Sequence, residues 1–270
     1  MIWPENKRIA IMMAFDVDGE TLWFQRGDGN RDHLTNLSRG WYDTRQGLPR
    51  ILRMLEEHEI KATFFVPAYM AETYPEHVRE IVRLGHEIAY HGYLHEECSS
   101  GASEEAAIME KSERIIREIT GKQVIGHRSP GGAIQDYSLE LFLKRGYIYS
   151  SNWRNNDGPF IHNIEGKQIP LVELPKDSIF DDTAYDMHTE DPPPRHNLRS
   201  AKEMVQVWKD EFDALAAEGR MINFVLHPQF IGRPSRVKAL SDLISYMKRE
   251  GAWFETNENV ARYVLQQNGL

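Results

Sequence analysis

Short apolar runs and longer stretches of helical periodicity alternate from one end of the chain to the other. The strand-like runs fall at 8–15, 61–66, 86–90, 124–127, 148–151, 171–174, 221–226 and 252–254. Between most of them lie amphipathic segments, at 47–59, 75–84, 103–120, 136–144, 200–218, 235–249 and 255–267. The punctuation agrees with this pattern. Ser200-Ala-Lys-Glu203 has the spacing of a capping box, and Gly85, Gly121, Gly146, Gly219 and Gly251 sit where helices should stop. Alternating strand and helix predicts an α/β fold with a parallel sheet, and eight such units predict one (β/α) barrel over residues 1–270. An open doubly wound sheet is the alternative. Two stretches break the alternation, 19–46 and 176–199, the second carrying Asp191-Pro-Pro-Pro194. Loops of that length inside a compact domain usually serve as lids or binding loops.

Composition narrows the classes. The longest unbroken apolar run, Ile9 to Phe15, is seven residues, where a bilayer span needs about 20. Charges precede it and no cleavage pattern follows, so the expectation is a cytoplasmic protein with no membrane partner. With 32 basic against 41 acidic residues, a net charge of −9 and no basic block, nucleic acid is not expected as a partner. Cys98 is the single cysteine. It excludes an internal disulfide and any CxxC site, so a bound metal would need nitrogen and oxygen ligands.

Four short motifs carry candidate chemistry, and each has an ordinary explanation when taken alone. Asp16-Val17-Asp18 follows the first strand; residues two apart on an extended chain face one way, so both carboxylates would enter one cavity. His91-Gly-Tyr-Leu-His95 follows the third strand, where an i, i+4 pair on a helical turn would present two imidazoles to a metal. Arg128-Ser-Pro130-Gly-Gly follows the fourth strand and would either hold a carboxylate ionised or simply form a turn. His227-Pro228 ends the seventh strand, as a cap or as a general acid titrating near neutrality. Position strengthens them together: all four lie at the carboxyl ends of strands, the face on which barrel active sites form. Trp153 and Asp181-Asp182 join that face and would line or brace a pocket.

In order and content these motifs resemble the polysaccharide deacetylase family, the NodB homology domain of carbohydrate esterase family 4. The family's Thr-Phe-Asp-Asp motif is similar to Ala14-Phe-Asp-Val-Asp18, its His-x-x-x-His to His91 and His95, its Arg-x-Pro to Arg128 and Pro130, and its Leu-x-His to Val225-Leu-His227. The resemblance implies a distorted (β/α) barrel and a divalent metal, usually zinc, held by Asp18, His91 and His95. It implies Asp16 as the base that takes a proton from the attacking water, Arg128 as its orienting partner and His227 as the acid for the leaving nitrogen. Two features depart from the pattern: Val17 separates the aspartates, and Ser150-Ser-Asn-Trp153 lacks an aspartate often found there. Asp-x-Asp, the long segment after Gly19, Phe180-Asp-Asp182 and Arg233-Pro resemble a cytosolic branch that includes peptidoglycan deacetylase-like proteins, cyclic imide hydrolases and an allantoinase. Allantoinases of that branch lack an intact metal set, whereas all three ligands stand here.

The expected function is metal-dependent hydrolysis of a non-peptide C–N bond. A small cyclic imide is favoured because no export segment is read, and a peptidoglycan or other N-acetylglucosamine deacetylase is the alternative. A catalytically silent carbohydrate-binding barrel is the third reading, disfavoured because a binding module has no need of base, ligands and acid together. Trp23, Trp41 and Tyr42 in the first long loop would close over a small ring, stack on sugars, or fill the core. Relatives of the resembling branch imply a homo-oligomer.

Overall fold

The computed structural model describes residues 3–24, 33–96, 101–189 and 194–270. Cys98, Asp191-Pro-Pro193 and the middle of the first long loop lie outside the described residues. The strands are β1 (Ile9–Met12), β2 (Ala14–Asp16), β3 (Thr63–Val66), β4 (Glu87–Tyr90), β5 (Gly126–His127), β6 (Tyr149–Ser150), β7 (Phe160–Ile164), β8 (Lys167–Glu173), β9 (His188–Thr189), β10 (Arg195–His196), β11 (Met221–Asn223) and β12 (Ala252–Phe254). The sheet order is β2-β3-β4-β5-β6-β8-β7, parallel except for the antiparallel β7–β8 hairpin. A second parallel group, β11-β1-β12, shares its central strand with the first, because β1 runs into β2 across Met13.

The fold is thus α/β with a parallel sheet bent into a distorted barrel, and every expected strand is present. Closure differs from the simple eight-unit ring. β12 does not stand between β11 and β1; it pairs with β1 on the flank opposite β11, with Ile9 beside Ala252. Past Met13 the same strand exchanges neighbours and pairs with β3 instead, Asp16 beside Phe65. Between β8 and β11 the ring is joined by single links: the Asp181–Val225 bridge, and Asn223 Nδ2 donating to Leu174 O at 3.1 Å.

The pleat of the first strand sets the layers. Ile9, Ile11, Met13 and Phe15 enter the large core shared with the flanking helices, while Ala10, Met12 and Ala14 enter a smaller core with Phe65, Ala89, Tyr149 and Val172. Asp16 continues the second set, so a carboxylate terminates the interior face of the strand. Helices cover the outside as the periodicity predicts, among them Pro75–Arg83, Ala102–Thr120, Ala201–Ala217 and Pro234–Arg249. The Ser200–Glu203 capping box forms in full. Helix Asn257–Gln267 closes the end of the sheet opposite Asp16, burying Val260, Ala261, Val264 and Leu265 in the smaller core.

The hairpin of β7 and β8 was not expected from the hydrophobic pattern. Phe160-Ile-His-Asn-Ile164 has no clean alternation, and its turn is built by Glu165 and Gly166, both with positive φ (51° and 81°). Two such residues match the twist of a tight hairpin.

Glu87, at the closed end, is buried and accepts from Thr63 Oγ1 at 2.7 Å, Tyr149 Oη at 2.6 Å and the Glu258 backbone N–H at 3.0 Å. Burial outweighs these bonds and pushes its carboxyl up to about 7. The folded state therefore holds the proton more tightly than the unfolded chain. The associated stability is full below the ordinary carboxyl value near 4.5 and is lost as pH rises through about 7. Glu87→Gln, which keeps an uncharged group there, is expected to flatten that part of the stability curve. Urea midpoints at about pH 5 and about pH 8 check this; a variant that falls as steeply as the parent contradicts the assignment.

Candidate active site

The carboxyl ends of the strands surround a cavity of about 760 Å³, a size suited to a small or sugar-sized ligand. Asp16, Asp18, His91, His95, His127, Pro130 and His227 all line it. Asp16 ends β2, and Asp18 follows in a turn that Thr21 Oγ1 secures by donating to Asp18 O at 2.6 Å. Gly19 then turns the chain with φ +52°, its N–H donating to the buried Asp43 carboxylate at 3.1 Å.

His91 and His95 meet on a loop, not on the helical turn that their spacing suggests. Gly92 and His95 both have positive φ (77° and 62°), and Glu96 Oε2 accepts from the N–H groups of Tyr93 and Leu94 at 2.8 and 2.9 Å. The carboxylate bends the loop back so that both rings face Asp18. A non-glycine residue in the left-handed region is costly, and such strain clusters at functional sites. His91 Nδ1 is bonded to Arg128 O at 2.7 Å, which leaves Nε2 facing inward.

His91 Nε2 lies 3.4 Å from Asp18 Oδ1, and His95 Nε2 lies 3.4 Å from Asp18 Oδ2. Both Asp18 oxygens are buried, and neither accepts a hydrogen bond from a described residue. Unsatisfied buried carboxylate oxygens are rare and call for an explanation. Together the three side chains offer two nitrogens and an oxygen within 4.8 Å of one another, a donor set that fits a divalent cation such as zinc. A second group, Asp181, Asp182 and His227, is equally compact, but both Asp182 oxygens and one of Asp181 are already engaged. Asp182 Oδ2 accepts from the His227 and Ile231 N–H groups at 2.8 and 3.2 Å, and Asp181 Oδ1 from Thr183 at 2.6 and 2.8 Å.

On one side of the triad stands an ion pair. Arg128 Nη1 donates to Asp16 Oδ1 at 2.7 Å, and the other edges of the guanidinium donate to Ser151 Oγ, Asn223 Oδ1 and Phe224 O. The guanidinium also stacks on Phe65, 4.2 Å from the ring centroid. Burial would raise the Asp16 carboxyl, but the charge of Arg128, with His91 and His227, outweighs it and holds the group below its ordinary value. Asp16 is therefore a carboxylate whose second oxygen, 3.8 Å from His91 Nε2, faces the cavity.

On another side stands a carboxylate–imidazole pair. Asp182 Oδ1 lies 2.6 Å from His227 Nδ1, so His227 presents Nε2, 3.5 Å from Asp18 Oδ2. Burial would lower the imidazole value, but Asp182, and then Asp18, outweigh it and raise it well above the usual 6.5.

Not every expected residue faces the cavity. Trp23 is buried against Leu22, Leu37 and Met187, with Nε1 donating to Gln229 Oε1 at 2.8 Å and Arg39 stacked on its ring. Of the three roles open to it, it fills a local core, because its apolar area and its single N–H are both satisfied there. Trp153 packs edge-on against Phe160 and His162 and does not line the cavity. Asp182 is fully buried behind His227 and braces it without lining the cavity. Conversely, Ser151, Asn223, Lys176 and Asp43 were not anticipated. Lys176 had a signal, since it stands just beyond a strand end at the head of a long loop; the others sit within runs whose pattern marks only burial.

A parallel α/β barrel with these groups at its strand ends defines a domain of the amidohydrolase type. The family model described as Polysaccharide deacetylase matches residues 36–150. That stretch contains His91, His95 and Arg128, and the fold adds Asp16, Asp18 and His227 from outside it. A peptidoglycan deacetylase of Helicobacter pylori is 27% identical over 97% of this chain and 98% of its own. A structure from Mycobacterium smegmatis, assigned to the polysaccharide deacetylases, superposes with a TM-score of 0.93 at 29% identity, covering 99% of this chain and 94% of that one. An allantoinase structure shares the fold, with a TM-score of 0.84 at 24% identity over 98% of this chain and 92% of that one. None of the described helices is long and apolar enough to cross a membrane.

Proposed function

We propose that this protein is a metal-dependent deacetylase that hydrolyses the amide of an N-acetylated amino sugar. The observation that carries the reading is Asp18: a buried carboxylate whose oxygens accept no hydrogen bond from a described residue, faced by two imidazole nitrogens at 3.4 Å, between a paired base and a paired acid. The names of the relatives favour a sugar amide over the small cyclic imide expected from the sequence.

The division of labour follows from the geometry. Asp18, His91 and His95 would hold the cation, which when bound polarises the amide carbonyl and lowers the pKa of the attacking water. Asp16, kept ionised by Arg128, accepts a proton from that water as its oxygen bonds to the carbonyl carbon. His227, kept protonated by Asp182, donates from Nε2 to the nitrogen as the C–N bond breaks. The amine departs neutral and a carboxylate remains. Without that donor an amide nitrogen would leave as an anion, which is why a base alone does not suffice.

Asp182→Asn is expected to lower the proton affinity of His227. The alkaline limb of the kcat/KM profile should then move to lower pH, with the maximum rate falling by about 10- to 100-fold, the usual range for a residue that orients a catalytic partner. A profile with an unmoved alkaline limb contradicts the acid assignment.

The substrate class is tested by a parallel assay of zinc-loaded protein on acetylated chitooligosaccharides, peptidoglycan fragments, succinimide and hydantoin. Acetate release from the acetylated sugars, with the rings untouched, is the expected result. Ring opening without acetate release would overturn the sugar assignment and restore the cyclic imide.

A further inference from the structure

Beyond the catalytic groups, the cavity wall carries a cation that makes no hydrogen bond or ion pair with a described residue. Lys176 follows β8, and its backbone N–H donates to Trp153 O at 3.1 Å, which sets it beside Arg154. Both side chains line the cavity. Their charged ends converge over Gly132, in the loop that begins at Arg128. A β-carbon at Gly132 would lie 3.0 Å from Arg154 Nη2 and 3.3 Å from Lys176 Nζ, so glycine leaves that point open.

Arg154 stands at the exposed rim, but Lys176 is only 8% exposed. No hydrogen bond or ion pair joins either side chain to a described residue. A buried, unpaired ammonium is costly, and proteins normally pair it or let it meet a ligand. The Asp16 and Asp181 charges reach Lys176 through space, but neither forms an ion pair with it. Asp16 is held by Arg128, Glu96 by two backbone N–H groups, and Glu105 approaches Ser138 Oγ at 3.4 Å. Burial, followed by the charge of Arg128, lowers Lys176 to about 8, which still leaves it mainly charged at neutral pH.

We propose that Lys176, assisted by Arg154, binds a carboxylate of the substrate, so that the preferred substrate is an acidic N-acetylated sugar and not a neutral one. The inference rests on the reading of the site as an amide hydrolase. Lys176 would act on specificity: its ammonium holds the acid in place while bond breaking occurs at the Asp16, Asp18 and His227 side of the same cavity.

N-acetylmuramic acid and N-acetylglucosamine form a matched pair, the first carrying an added lactyl carboxylate. The zinc-loaded parent is expected to favour the acid by about tenfold or more in kcat/KM, the scale of one charge-assisted contact. In Lys176→Met, an apolar side chain of similar length, the ratio should fall towards one; in Lys176→Arg the preference should be retained. Urea midpoints establish that the variants are folded. A parent with no preference, or a folded Lys176→Met that keeps it, overturns the proposal. Calorimetric binding of the same two sugars separates this from the hydrolase reading. Selective binding of the acid that depends on Lys176, without acetate release from either sugar, sustains the carboxylate site and refutes the hydrolase; equal hydrolysis and equal binding of both do the reverse.

Discussion

Asp18→Ala is expected to abolish stoichiometric zinc binding and to reduce turnover by at least about a thousandfold. The size follows from what is removed: an ion that stabilises charge at the carbonyl supplies several kcal/mol, and each 1.36 kcal/mol is tenfold in rate. The direction follows from geometry. Among the described residues Asp18 is the carboxylate that faces both imidazoles, and its oxygens accept no hydrogen bond from any other described side chain. His91→Ala and His95→Ala should share the loss of metal. Metal content by mass spectrometry, read with turnover on the same samples, checks this. A folded Asp18→Ala that holds one equivalent of zinc and turns over at the parental rate would sink the ligand assignment.

Asp16→Asn should behave differently: zinc is retained while kcat falls by roughly 10²- to 10⁴-fold, the range for loss of a general base. Asparagine preserves shape but cannot take a proton, and it leaves the buried Arg128 charge without its partner. Some loss of stability should accompany the kinetic effect, since breaking a buried pair from one side costs about 3–5 kcal/mol. The remaining bonds of Arg128 to Ser151, Asn223 and Phe224 O moderate that cost. The acid limb of the pH–rate profile should disappear in this variant, because the group that must ionise is gone. If the limb persists at its parental position, Asp16 is not the base.

How much of this was legible beforehand depends on the kind of signal. The first strand was readable as an apolar run, although not its break at Met13; in the structure positions 10, 12 and 14 face the smaller core, and Asp16 falls on the same face by parity. Helix ends were readable from Ser200, Glu203 and the terminal glycines, because capping is local chemistry. Ring closure was not, since which neighbour β1 takes above and below Met13 depends on twist accumulated over the whole sheet. Spacing misled at His91 and His95. An i, i+4 pair is compatible with a helix, but Gly92, His95 and the Glu96 carboxylate form a bent loop that reaches the same juxtaposition by another route. Trp23 illustrates the converse error, in which a large aromatic in a long loop is drawn into a local core by its apolar area. Lys176 offered only its position, just beyond a strand end at the head of a long loop. Its meaning arises only from burial beside Arg154 with no hydrogen bond or ion pair to a described residue.

The most direct test of the account is a zinc titration of the chelator-stripped protein, with bound metal and acetate release from an acetylated chitooligosaccharide measured on the same samples. The account predicts negligible activity without metal and a rate that rises linearly to a break at about one equivalent. Full activity in the stripped protein, or binding of one equivalent with no gain in rate, would contradict it.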